Sequence, residues 1–248
     1  MKHYKYILLT TLVVCLTIQG WSQNRIIDSN FNTWWSNINK YNISNNWFLS
    51  SELHIRRANG LSDWQQFLFR PALNYKLNSP VVLTLGYTYI KSYPYGNQPI
   101  AILTPENNLW EQITLKHQSG KFKISHRYRF EQRFIGKTNY TLANEPIIKG
   151  HVYTHRFRYR LTMSIPLSSN KKMFAKGFDE VWVNLENNLM PVGLNQNWLY
   201  AGLGYKINSR ANFQIGYMNQ LVKKGDGIHY ENNQTIQVTI GYDFFKHE

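Results

Sequence analysis

Residues 121–135 read KFKISHRYRFEQRFI, and the parity of this stretch decides the fold. The even positions carry Phe122, Ile124, His126, Tyr128, Phe130, Gln132 and Phe134. The odd positions carry Lys121, Lys123, Ser125, Arg127, Arg129, Glu131 and Arg133. On a helix these two sets would scatter around the axis. On a strand successive side chains point to opposite faces, so one face is aromatic and the other is charged. Residues 151–165 repeat the design, with Tyr153, His155, Phe157, Tyr159, Leu161 and Met163 against Arg156, Arg158 and Arg160.

Working outward, the same two-residue period marks segments at 31–38, 47–57, 65–77, 81–89, 109–117, 181–187, 199–207, 213–221 and 236–244. Clusters of Asn, Gly, Ser and Pro separate them. That makes eleven visible strands. Single-chain bacterial barrels usually have an even number, so the expectation is an antiparallel up-and-down transmembrane β-barrel of 10–12 strands, with 12 favoured. Residues 25–30 are the candidate for the missing strand. Tight turns such as 78–80, 119–120 and 208–210 alternate with longer connections at 92–107, 136–150 and 223–232. The 165–178 link breaks this alternation, being long where a short turn is expected.

Charged residues make up 17% and aromatic residues 15% of the 248, and the mean hydropathy is −0.45. A bundle of membrane helices would not average polar, because each span needs about 20 mostly apolar residues. A membrane barrel can, since alternate side chains face a polar interior. Aromatic residues near strand ends (Trp47, Tyr75, Tyr87, Tyr89, Tyr159, Trp198, Tyr205, Tyr217, Tyr242) suit interfacial girdles.

The N-terminus has the order of an export signal: Lys2 and Lys5, an apolar run from Tyr6 to Ile18, then Gly20-Trp21-Ser22. Residues 1–22 are expected to be a signal peptide cleaved before Gln23, leaving 23–248 as one barrel domain in the outer membrane. Cys15, the single cysteine, would leave with it, so no disulfide or cysteine metal site is expected. Without Lys2 and Lys5, 26 basic residues face 14 acidic ones, a net +12. In an exported chain this points to anions and to the phosphates and carboxylates of the outer leaflet, including lipopolysaccharide, rather than to nucleic acid.

Arginine on a lipid-facing wall costs about 2–4 kcal/mol at the midplane, so the charged parity is assigned to the lumen. Its expected members are Glu52, Arg56, Arg70, Arg127, Arg129, Glu131, Arg133, Arg156, Arg158, Arg160, Glu180 and Glu186. Eight arginines against four acids imply either a salt-bridged filling or a small anion or polar-solute pore. Two other classes compete: an outer-membrane lipid-modifying hydrolase and a soluble periplasmic β-sheet binding protein. A hydrolase needs a base within reach of its nucleophile. Ser125 and His126 are adjacent, so they diverge on a strand, and no metal-spaced histidine pair or phosphate loop is present. The expectation is a non-enzyme without cofactor.

The last strand, Ile236 to Phe244 with Gly241 inside it, is similar to the C-terminal signal read by barrel-assembly machinery, which is the expected partner. The stretches HRYRFEQRF (126–134), ENNLWEQ (106–112), FRYRL (157–161) and DEVWVNL (179–185) together resemble an uncharacterised family of exported proteins. Those are predicted Gram-negative outer-membrane barrels of unknown function. The resemblance covers most of the mature chain and implies fold and location, with no reaction or ligand.

Overall fold

The computed structural model describes residues 25–97 and 99–244. The expected signal peptide lies outside the described residues. Eleven strands follow one another: β1 (Ile26–Asn42), β2 (Trp47–Ala58), β3 (Asp63–Asn78), β4 (Val81–Ser92), β5 (Thr104–Ser119), β6 (Phe122–Tyr140), β7 (Pro146–Pro166), β8 (Met173–Asn184), β9 (Gly193–Lys206), β10 (Ala211–Lys223) and β11 (His229–Phe244). Each pairs antiparallel with its chain neighbours, and the sheet closes on itself into a barrel.

The closed barrel bears out the expected 10–12 strands, with eleven among the described residues rather than the favoured twelve. Residues 25–30 add no extra strand, because β1 runs unbroken from Ile26 through Asn42. An odd number cannot close antiparallel throughout, so β1 and β11 pair in parallel, in register from Ile26↔His229 to Tyr41↔Phe244. The 165–178 link is also shorter than it reads. β7 reaches Pro166 and β8 begins at Met173, leaving only 167–172.

Connections 43–46, 79–80, 120–121, 167–172 and 207–210 share one rim, called here the short-turn rim. Connections 59–62, 93–103, 141–145, 185–192 and 224–228 share the long-loop rim. There the β6–β7 hairpin also stands out beyond its neighbours.

Parity sorts the side chains. The outward set is apolar and exposed, as at Leu85 (58%), Leu109, Ile113, Leu199, Leu203 and Ile215. Aromatic pairs flank it: Trp47 against Tyr75 and Tyr41 against Phe244 toward the short-turn rim, Phe134 against Tyr153 toward the other. The inward set is polar and buried, including Asn32, Thr88, Asn108, Gln220, Asn233 and Thr235. This is a core turned inside out relative to a soluble sandwich, where the apolar parity would be the hidden one.

Candidate functional site

The cross-strand register builds the lumen wall. Between β6 and β7 it sets Arg127 opposite Arg160, Arg129 opposite Arg158 and Glu131 opposite Arg156. Like charges directly opposed destabilise a sheet. Two carboxylates offset this. Glu131 accepts from Arg156 Nε at 2.8 Å and Arg158 Nη1 at 2.6 Å. Glu180, on β8, accepts from Arg127, from Arg158 Nε at 3.0 Å and from Arg160 Nε at 3.0 Å. Glu180 is 0% exposed, Glu131 and Arg129 2%. Around this centre, Arg133 grips Glu106 through two bonds of 2.7 and 2.9 Å. Arg70 donates to Glu52 at 2.6 Å, and His54 lies 3.0 Å from the same carboxylate. Arg–carboxylate forks of this kind are strong and geometrically specific.

Tryptophan faces complete the wall. The Arg129 guanidinium lies 3.7 Å from the centre of the Trp110 ring and that of Arg158 3.5 Å from Trp182. Arg156 also stacks on Trp182 and Arg160 on Phe178. Such contacts stabilise a desolvated cation without neutralising it.

Of the twelve residues assigned to the lumen by parity, nine line one cavity of about 570 Å³: Glu52, Arg56, Arg70, Arg127, Glu131, Arg133, Arg156, Arg158 and Arg160. Arg129 and Glu180 are packed into the same inward face. Glu186 is corrected: it lies beyond the end of β8, and its carboxylate is bonded to His155 on the outer face. Alternation in the sequence reads on past Asn184, where the strand stops. Trp198 is corrected too. It belongs to no outer girdle but packs inward with Trp34, Trp182, Phe178, Tyr200 and Met218.

Sequence reading missed Glu106, Lys176 and Glu231, all of which line the cavity. Glu106 was findable, since it shares the parity of Asn108, Trp110 and Gln112. Seven arginines and Lys176 line the cavity against Glu52, Glu106, Glu131 and Glu231. The carboxylates of the wall are shared among Arg70, Arg127, Arg129, Arg133, Arg156, Arg158 and Arg160. Among the described residues, none makes an ion pair with Arg56 or Lys176.

Tyr95 and Asn97, which follow β4, reach across the long-loop mouth. The Tyr95 hydroxyl donates to Glu231 on β11 at 2.7 Å, and Asn97 reaches Asp28 on β1 at 3.3 Å. Burial, reinforced by the Glu231 carboxylate, holds the Tyr95 hydroxyl well above the ordinary phenol range. At the other end the charge is one-sided. Lys40, Lys76, Lys116, Lys121, Lys123, Lys171, Lys172, Lys176, Lys206 and Arg210 stand in or near the short turns, and Asp243 is the one acid there among the described residues.

Ser125 and His126 diverge as their parity requires. His126 Nδ1 lies 2.8 Å from the Tyr159 hydroxyl on the outer face.

The family model described as "Protein of unknown function (DUF2490)" matches residues 31–231. An uncharacterized protein of Methylorubrum extorquens is 26% identical over 199 residues, covering 77% of this chain and 79% of that one. A solved structure titled "NanC porin structure in rhombohedral crystal form" is similar at 10% identity, with a TM-score of 0.47, over 80% of this chain and 89% of that one.

Proposed function

We propose that this chain, which belongs to the DUF2490 family of proteins of unknown function, is an outer-membrane β-barrel whose narrow cationic lumen admits small anions. The observation that carries the reading is the charge imbalance of the cavity, eight cationic side chains against four carboxylates. An unbalanced charge inside a low-dielectric wall is costly unless water or counter-ions enter. The exposed apolar belt between aromatic pairs fits a lipid environment, and the strands, 12–21 residues long, exceed the roughly 9–11 a bilayer requires. Short turns then face the periplasm and longer loops the outside. The outer wall would meet outer-membrane lipid and lipopolysaccharide. β11 would engage the assembly machinery after the signal peptide is removed.

Refolded protein in planar bilayers tests this. Steady channels whose reversal potential in a salt gradient favours anions are expected. Silence from an inserted, heat-modifiable barrel would sink the pore and favour a closed structural barrel. One observation supports that second reading: Glu131 and Glu180 between them tie β6, β7 and β8 together across the densest part of the wall.

A further inference from the structure

Arg56 differs from every other lumen arginine. It sits on β2, 7% exposed, and makes no ion pair among the described residues. Its neighbours in the ladder are Trp34 on β1 and Gln66 on β3. The guanidinium carbon lies 3.7 Å from the Trp34 ring centre and 5.5 Å from that of Trp198. Nη1 donates to the Gln66 amide oxygen, and Nε is buried with no hydrogen-bond partner. The nearby Glu52 is already committed to Arg70 and His54. A stacked ring and a neutral amide orient the guanidinium but leave its charge uncompensated.

The surroundings are built rather than incidental. The β2–β3 register shifts between Arg56 and Arg57, so that Arg56 faces Gln66 while Arg57 faces Trp64. The extra residue of this bulge is Gln65. Bulges re-aim side chains next to functional sites, and this one places both Gln65 and Gln66 on the cavity, where strict alternation would place one. Gln65 accepts from Trp34 Nε1 at 2.6 Å, Gln66 donates to Ser92 at 2.9 Å, and Gln196 accepts from Trp198 Nε1 at 2.9 Å. Both indoles and the guanidinium are thereby held in place before any ligand arrives.

We propose that Arg56, between Trp34 and Trp198, is a binding site for the carboxylate of a small organic acid whose apolar body lies against the two indoles. A guanidinium fork matches the two oxygens of a carboxylate. The flanking surface is aromatic, which favours an organic acid over chloride or phosphate. A cavity of about 570 Å³ is of small-molecule size. The inference rests on the reading of the lumen as accessible to anions.

The test is calorimetric titration of the detergent-folded full barrel with butyrate, acetate and chloride at constant ionic strength. Saturable butyrate binding, tighter than acetate, is expected. Arg56→Gln should weaken it about tenfold or more, the usual loss for a charge-assisted hydrogen bond. Arg57→Gln, which removes the same charge from the outer side of the strand, should leave it unchanged. Wild-type affinity in Arg56→Gln, or an equal loss in Arg57→Gln, overturns the site. Should Arg56→Gln not fold, Arg56→Lys keeps the charge and loses the fork. Unchanged butyrate affinity there overturns the site as well. Conductance of the same preparations separates the two claims. Binding without channels removes the pore and keeps the site; channels without butyrate binding do the reverse.

Discussion

Arg129 on β6 and Arg158 on β7 stand directly opposite each other in the ladder. They tolerate this because one carboxylate serves both. Glu131 Oε1 lies 2.6 Å from Arg158 Nη1 and 3.7 Å from Arg129 Nη1, while its other oxygen holds Arg156. The register of the densest part of the wall thus depends on an acid that is itself almost fully buried.

Glu131→Gln leaves Arg156 and Arg129 without a carboxylate, while Arg158 keeps only Glu180. Removing one member of a buried pair costs about 3–5 kcal/mol, because the remaining charge is stranded. The variant should lose stability on that scale in urea unfolding of the detergent-folded barrel. A loss under about 1 kcal/mol would mean that water or bound anions already screen the arginines, and that Glu131 is not what sets the register.

Gly86 on β4 faces Trp110 on β5, and the indole lies flat over it. A Cβ at residue 86 would fall inside the van der Waals envelope of that ring. Trp110 in turn carries Arg129 on its face and donates to Thr88 at 2.9 Å. Gly86→Ala should therefore cost about 1–3 kcal/mol, the usual range for overpacking, and should alter the near-UV circular dichroism of the displaced indole. An unchanged spectrum and stability would show that the ring can move aside freely.

Much of this was legible because period-2 alternation is a property of the chain itself. The arginines of 127–133 and 156–160 announce their face without any knowledge of neighbours. What alternation cannot show is where it stops, which is why Glu186 reads as a lumen residue and lies outside. It also cannot show the ladder partner. Trp198 reads as an interfacial aromatic, and only the closed sheet brings it to Trp34. The parallel β1–β11 seam and the bulge that turns in both Gln65 and Gln66 are likewise properties of pairing, so no local pattern carries them.

The β10–β11 connection holds a local pH-sensitive contact. The backbone N–H of His229 (3.0 Å), the His229 ring and the N–H of Ile228 (2.9 Å) bind the Asp226 carboxylate, holding it down at about 2 against an ordinary 3.8. A depressed carboxylate stabilises the folded loop above its unfolded value. The contribution should therefore be complete above pH 3.8 and fade as pH falls toward 2. Carboxyl-carbon NMR of Asp226 should titrate near 2. A midpoint near 3.8 would mean that the loop does not hold these bonds in solution.

Among the described residues, ten cationic side chains near the short turns face one acid, Asp243, which makes the two mouths of the barrel electrostatically unequal. Fixed charge at one mouth raises the local concentration of counter-ions there, over a Debye length of about 10 Å at 0.1 M salt. If the lumen conducts, anions entering from the short-turn side meet an enriched reservoir and those entering from the long-loop side do not. The current–voltage curve of uniformly oriented channels should then rectify at low salt and become symmetric near 1 M. Replacing Lys121, Lys123, Lys171 and Lys172 together by Gln should reduce the low-salt asymmetry while leaving anion preference, which the lumen arginines supply. Symmetric low-salt curves in the wild-type protein would show that the rim charge is screened before it acts on the path of the ion.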